Sequence, residues 1–146
     1  MKILLAVDDS KFSEAATHAL ATLLRSQDAQ VLLLHIVEPR FYSVPPQMSA
    51  GYSPETAEIR KEQRKAAEEV VGREAQALRN AGFRVETRVG EGEPRSGILD
   101  VAAEWHADLI ILGSKGRTGL QRLLLGSVAE TVARHARCSV MIVRIP

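Results

Sequence analysis

Short apolar runs recur along this chain, and between one run and the next lies a helical pattern of apolar residues. Lys2 to Val7, Val31 to Val37 and Asp108 to Gly113 are rich in Leu, Ile and Val and too short for buried helices. Runs with little polar alternation read as strands covered on both faces, as parallel strands between helices are. Val140 to Ile145 closes the chain as another such strand. Phe83 to Val89 differs: Phe83, Val85, Thr87 and Val89 alternate with Arg84, Glu86 and Arg88, which marks a half-exposed strand near a sheet edge. His35 interrupts the second run and reads as a satisfied core or edge histidine rather than a ligand.

The segments between these runs carry helix signals. Asp9 or Ser10 can cap a helix whose face is Phe12, Ala15, Ala16, Ala19, Leu20, Leu23 and Leu24. Ser53-Pro54-Glu55 starts a long amphipathic helix that carries Ile59, Ala66, Ala67, Val70, Val71, Ala77, Leu78 and Ala81 and that Gly82 stops. Its many charges read as a solvated face with helical ion pairs. Gly90-Glu91-Gly92-Glu93-Pro94 reads as a turn into a helix with Ile98, Val101, Ala102 and Trp105, the last expected in the core; His106 follows at the helix end. A dinucleotide fingerprint there would need glycine at Arg95 and would follow the first strand, so it is rejected. The last helix, from Ser127, is expected to turn Val128, Thr131, Val132 and His135 to one side.

The order strand, helix, strand, repeated to the end, implies an α/β architecture: one parallel sheet with helices on both faces and right-handed crossovers. A chain of 146 residues with 45% hydrophobic content is expected to form a single domain, residues 1–146, with a sizeable core. No segment is long or apolar enough to span a membrane. The formal charge of +1, without a basic block, disfavours a wide nucleic-acid surface. Met1 leads straight into a strand with no export signal, and the lone Cys138, read as a small buried residue, forms no internal disulfide; a cytoplasmic location is expected. Glu38 to Pro54, with Phe41, Tyr42 and Tyr52, is a long irregular connection: a surface loop with locally packed aromatics, or a flap.

The stretch from Leu109 to Val132 carries the chemistry. It sets Gly113, Gly116, Gly119 and Gly126 after an apolar strand, with Ser127 opening a helix. Glycines let backbone N–H groups approach a ligand, and a helix N-terminus adds unpaired donors and the positive end of a dipole. Such a loop can cradle phosphates, although the same glycines can also serve only a tight turn. Ser127-Val128-Ala129-Glu130 has the capping-box pattern, which would make Ser127 the helix cap. Ligands of such sheets bind beyond the carboxyl ends of the strands where strand order reverses. If that point lies between the first and fourth strands, Asp8 and Gly113 face one crevice, a carboxylate for a ribose opposite amides for phosphates.

On these residues, from KILLAVDDS at the start to SVMIVRIP at the end, the chain resembles the universal stress proteins of the single-domain type. Gly113, Gly116, Gly126 and Ser127 meet in full the family's ATP-binding pattern Gly-x2-Gly-x9-Gly-Ser/Thr. The resemblance implies a Rossmann-like three-layer sandwich with strand order 3-2-1-4-5, and a homodimer pairing through the C-terminal strand. It implies that Asp8 holds the ribose, with Ala6 and Val7 beside the base and Ile36 on adenine. Leu112 and Gly113 would line the ribose and phosphate side, and Gly116, Arg117, Gly126, Ser127 and Val128 would surround the phosphates, with Mg²⁺ held through ATP. The function so implied is that of an ATP-binding regulatory dimer with an unidentified protein partner.

Two other classes compete. A slow ATPase or a phosphoryl or adenylyl transferase would need groups that are not assignable here. Lys115 is out of frame for a Walker lysine, and no histidine or carboxylate is identifiable as a water-positioning base. The Ser-Gly-Gly-x-Asp-Ser loop of ATP pyrophosphatases is replaced by Ala6-Val7-Asp8-Asp9-Ser10. A scaffold dimer without nucleotide, its glycines purely structural, is the third.

Overall fold

A computed structural model describes residues 1–39, 54–117, 119 and 124–146. Most of the irregular connection expected from Glu38, with Phe41, Tyr42 and Tyr52, lies outside the described residues, as do Ser53, Thr118 and residues 120–123. Five strands, β1 (Lys2–Ala6), β2 (Gln30–Val37), β3 (Arg84–Glu91), β4 (Leu109–Gly113) and β5 (Ser139–Val143), form one sheet in the order β3-β2-β1-β4-β5. Every neighbouring pair is parallel. The expected α/β class and strand order are therefore observed, with β3 at one edge and β5 at the other.

The helices are α1 (Lys11–Leu23), α2 (Pro54–Asn80), α3 (Pro94–Glu104) and α4 (Ser127–His135). Alternation along each strand splits the core in two. Ile3, Leu5, Val31, Leu33 and Ile111 pack with Ala16 and Leu20 of α1 and Val70, Val71, Ala75 and Leu78 of α2. Leu4, Ala6, Leu32, Leu34, Ile110 and Leu112 pack with Ile98 and Ala102 of α3 and Ala129 and Val132 of α4. Because β1, β2 and β4 are covered on both faces, their sequences run apolar without alternation.

Several expectations about faces need correction. Leu23, the last residue of α1, is 68% exposed, and Ser13 and Thr17 are buried instead. Ala66 and Ala77 on α2 are exposed, as is Ala81 just past its end, whereas Glu74 and Ala75 are buried. Small alanines carry too little apolar area to fix a helix's rotation, and the larger Val70, Val71 and Leu78 decide it. His135 is exposed and Ala129 takes its place in the core of α4. Trp105 is half-buried at the end of α3, packed against the second core cluster, with the Lys2 ammonium 5.2 Å from its ring.

Gly82, at φ +91°, ends α2 in the left-handed conformation that favours glycine, as the sequence suggests. Gly90 is not in a turn, because β3 continues through it to Glu91. The turn comes at Gly92, and Glu93 caps α3: its carboxylate accepts from the Arg95 amide at 3.1 Å and the Ser96 amide at 2.9 Å. Desolvation pushes that carboxyl upward, but the Ser96 amide and the Arg95 side chain and amide outweigh it and hold the group at about 2. Replacement of Glu93 by alanine is expected to lower the unfolding free energy by about 1 kcal/mol in urea denaturation. An unchanged midpoint would show that the cap contributes nothing to stability.

Candidate functional site

At the carboxyl ends of the strands, β1 hydrogen-bonds β2 on one side and β4 on the other, while their connections leave on different faces. The chain leaving β1 passes through Val7, whose amide donates to the Leu34 carbonyl at 2.9 Å, and reaches Asp8. Ser10 caps α1, its hydroxyl accepting from the Ser13 amide. Asp8 is drawn into the same turn: its amide donates to Ser13 Oγ at 2.8 Å, and its Oδ1 accepts from Ser10 Oγ and, at 2.7 Å, from Ser13 Oγ.

The other oxygen of Asp8 crosses to the loop after β4. Arg117 donates its amide to Asp8 Oδ2 at 3.1 Å. A carboxylate offers roughly four acceptor positions, so among the described residues these contacts leave one open on Oδ2. A Cβ at Gly116 would lie 3.0 Å from that same oxygen. Asp8 and Gly116 therefore touch, as a shared crevice requires, and Asp8 also fixes the loop.

The other glycines of the loop have close protein neighbours as well. A Cβ at Gly113 would fall 2.7 Å from the Phe12 backbone, so α1 can cross the end of β4 only over glycine. One at Gly126 would lie 3.2 Å from Lys115 Cα and 3.4 Å from the Ser114 carbonyl. The loop is closed by main-chain bonds: Ser114 amide to Val143 carbonyl at 2.7 Å, and Gly126 amide to Ser114 carbonyl at 2.7 Å.

These contacts bring the start of α4 beside the loop, and here the capping-box expectation fails. Gly126, not Ser127, is the N-cap, and no side chain among the described residues caps the helix. Glu130 does not reach back; its carboxylate accepts from Arg134 at 2.9 Å, one turn further on. A Cβ at the cap would crowd Lys115, which favours glycine there, and Ser127 takes the first helical position, where it is exposed. A helix leaves its first amides without intrahelical partners. At α4 the first backbone bond of the helix is from the Glu130 amide to the Gly126 carbonyl, and among the described residues the amides of Ser127, Val128 and Ala129 have no partner outside the helix.

The other expected site residues fall at the same end of the sheet in differing ways. Ala6, Val7 and Leu112 have buried side chains that belong to the core clusters, so only their main chain can meet a ligand. Ile36 is half-buried at the end of β2, on the α3 side of the sheet. Arg117 is exposed, and Val128 is half-buried against the second cluster. Asp9, the other first-strand carboxylate, lies outside the crevice set, exposed and 3.7 Å from the Arg73 guanidinium.

Ser13 was not anticipated. Its signal is a polar residue in the sequence Asp8-x-Ser10-x-x-Ser13, one position after Phe12 on the face expected to be apolar. His35 is the second surprise. It shares the sheet face of Val31 and Leu33 and is buried, and among the described residues its Nδ1 has no hydrogen-bond partner, so within them it is not the satisfied histidine expected. Burial lowers its pKa below the ordinary 6.5, against the raising influence of Asp8; Arg117 lowers it and Asp9 raises it. Cys138 is half-buried against the second cluster and not fully buried as expected; its thiol is pushed up by burial and then by Asp108, away from nucleophilic use.

The universal stress protein family model matches residues 1–144. A protein of Staphylococcus aureus strain USA300 named as a universal stress protein is 34% identical over 144 residues, covering 97% of this chain and 82% of its own length. The solved structure of hypothetical protein MJ0577 superposes with a TM-score of 0.86 at 27% identity, covering 99% of this chain and 96% of that one. An Arabidopsis thaliana universal stress protein family protein, solved with AMP bound, has a TM-score of 0.70 at 21% identity and covers 100% of this chain and 92% of its own.

His35 gives this end of the sheet a pH dependence whose sign is fixed. The folded protein holds His35 neutral to lower pH than the unfolded chain does, so between 6.5 and the lower folded value the unfolded state binds more protons. Stability from this residue is complete above 6.5 and is lost as pH falls below it. Urea titrations of the native protein and of His35→Leu between pH 7.5 and 5 are expected to show a shallower loss in the variant. Equal slopes would mean that His35 titrates normally.

Proposed function

The chain belongs to the universal stress protein family, and from that membership we propose that it binds an adenine nucleotide, ATP with Mg²⁺, at the carboxyl end of β1 and β4. The observation that carries this reading is the uncapped start of α4, held beside a loop that Asp8 ties down. Glycine at 113, 116 and 126 also serves the packing of the loop, so the glycines alone do not separate nucleotide binding from a scaffold. An exposed serine and a row of open amides have no packing purpose. They form the positive end of a helix dipole and suit phosphate oxygens.

In this reading the triphosphate lies on the amides of Ser127, Val128 and Ala129, with Ser127 Oγ and Arg117 completing the cradle. The free acceptor position of Asp8 Oδ2 takes a ribose hydroxyl, and the base rests near Ile36 beside the main chain of Ala6 and Val7. Mg²⁺ is held through the phosphates. The Arabidopsis relative with bound AMP supports the adenine nucleotide class. A homodimer through β5 fits the half-exposed Val140, Met141, Ile142 and Val143 at the sheet edge. Nucleotide occupancy would set the position of Arg117, giving two states that a partner can distinguish.

The reading is tested by thermal unfolding with and without Mg-ATP, with Mg-GTP as control. At ~100 times the dissociation constant, about 2.7 kcal/mol of stabilisation is expected, roughly a 5–10 °C rise in Tm for a domain of this size. Gly116→Val, which places a branched side chain against Asp8 Oδ2, is expected to abolish the rise. No rise with any nucleotide at millimolar concentration would leave the loop a structural element.

A further inference from the structure

The side chain of Ile36 occupies a notch that two glycines create. Ile36 pairs in register with Gly90 on β3, so their side-chain positions lie next to each other on one face of the sheet. A Cβ at Gly90 would lie 2.9 Å from Ile36 Cδ1, with no other atom within 4 Å among the described residues apart from its own chain neighbours. From the helix side, a Cβ at Gly97 of α3 would lie 3.2 Å from Cδ1 and 3.3 Å from Cγ1. Neither glycine has a positive φ, so backbone conformation does not call for glycine at either position. Glycine also weakens strand and helix interiors. What both positions share is the space that Ile36 fills.

We propose that Gly90 and Gly97 are specificity-determining positions: by seating Ile36 Cδ1 between β3 and α3, they set the depth of the crevice where the nucleotide base lies. This rests on the nucleotide reading above, which puts the base against Ile36. Below Ile36 are the packed side chains of the second core cluster, among them Leu34 and Ile98. A methyl group displaced from the notch therefore moves outward, to the half-exposed side of Ile36, and takes up room that the base needs. The ligand class this geometry fits is a nucleotide with a planar base wide enough to cover a flat aliphatic floor, and the effect falls on the base and not on the phosphates.

The test is isothermal titration of Mg-ATP, and separately of inorganic tripolyphosphate, into the native protein, Gly90→Ala and Gly90→Ala/Ile36→Val. Valine lacks only Cδ1, the one atom that an alanine at position 90 would meet. Gly90→Ala is expected to weaken ATP roughly tenfold, within the usual range of overpacking effects, and to leave tripolyphosphate unchanged. The double variant is expected to recover most of the lost affinity, which a general disturbance of the edge strand would not allow. Equal ATP affinity in the native protein and Gly90→Ala overturns the notch alone. A loss that the double variant does not recover, or an equal loss for tripolyphosphate, also overturns it. Absence of ATP binding by the native protein overturns the nucleotide reading and the notch together. Unfolding curves of each variant establish that the titrated protein is folded.

Discussion

The crevice depends on one carboxylate. Asp8 lies two residues beyond the first strand, and its two oxygens divide their work: Oδ1 gathers the hydroxyls of Ser10 and Ser13 at the start of α1, while Oδ2 takes the amide of Arg117 from the far side of the strand-order reversal. Hydrogen bonds to a charged acceptor are each worth about 1.5–3 kcal/mol, enough to tie the loop at Arg117 to the start of α1. With the loop held, Gly126 can sit against Lys115 and Ser114, and that contact decides how α4 begins. The open amides of α4 are thus a consequence of packing that starts at Asp8.

The rest of the sheet supplies the rigidity that such a site needs. β1, β2 and β4 are covered on both faces by the two core clusters, and Ile3, Leu4, Leu5, Ile110 and Ile111 are fully buried. Residues at the ends of these strands inherit fixed positions, whereas the partly exposed β3 and β5 form the edges. Ile36 belongs to the rigid part and Gly90 to the edge, so the notch between them joins the two. The same placement explains His35, a polar side chain on the first core cluster's face of the sheet, whose Nδ1 has no partner among the described residues and whose pKa burial lowers.

The sequence made the architecture legible because continuous apolar runs and helical periodicity are strong, local signals. Strand identity, the stop at Gly82 and the edge position of β3 all follow from them. Helix rotation was less legible: alanines at 66, 77 and 81 matched the period of α2 yet lie exposed, because their small side chains bury little area. Contacts between distant segments were hidden altogether. Ser127-x-x-Glu130 has the local pattern of a capping box, but Lys115, brought in by the loop, puts the cap at Gly126 instead. Likewise Gly90 looks like a turn residue until Ile36, from another strand, is placed beside it. Asp8 and the glycine loop could be assigned to one crevice from strand order, but the bond from Arg117 depends on three-dimensional placement.

The central claim is that the uncapped amides of α4, set beside the loop anchored by Asp8, are the anion-binding part of a nucleotide site. Its most direct test is a titration of the ¹⁵N-labelled protein with Mg-ATP followed by amide resonances. The account requires the largest changes at Gly116, Arg117, Ser127, Val128 and Ala129, with smaller ones at Val7 and Ile36. Changes confined to other surfaces, or none at these amides at saturating nucleotide, would contradict it.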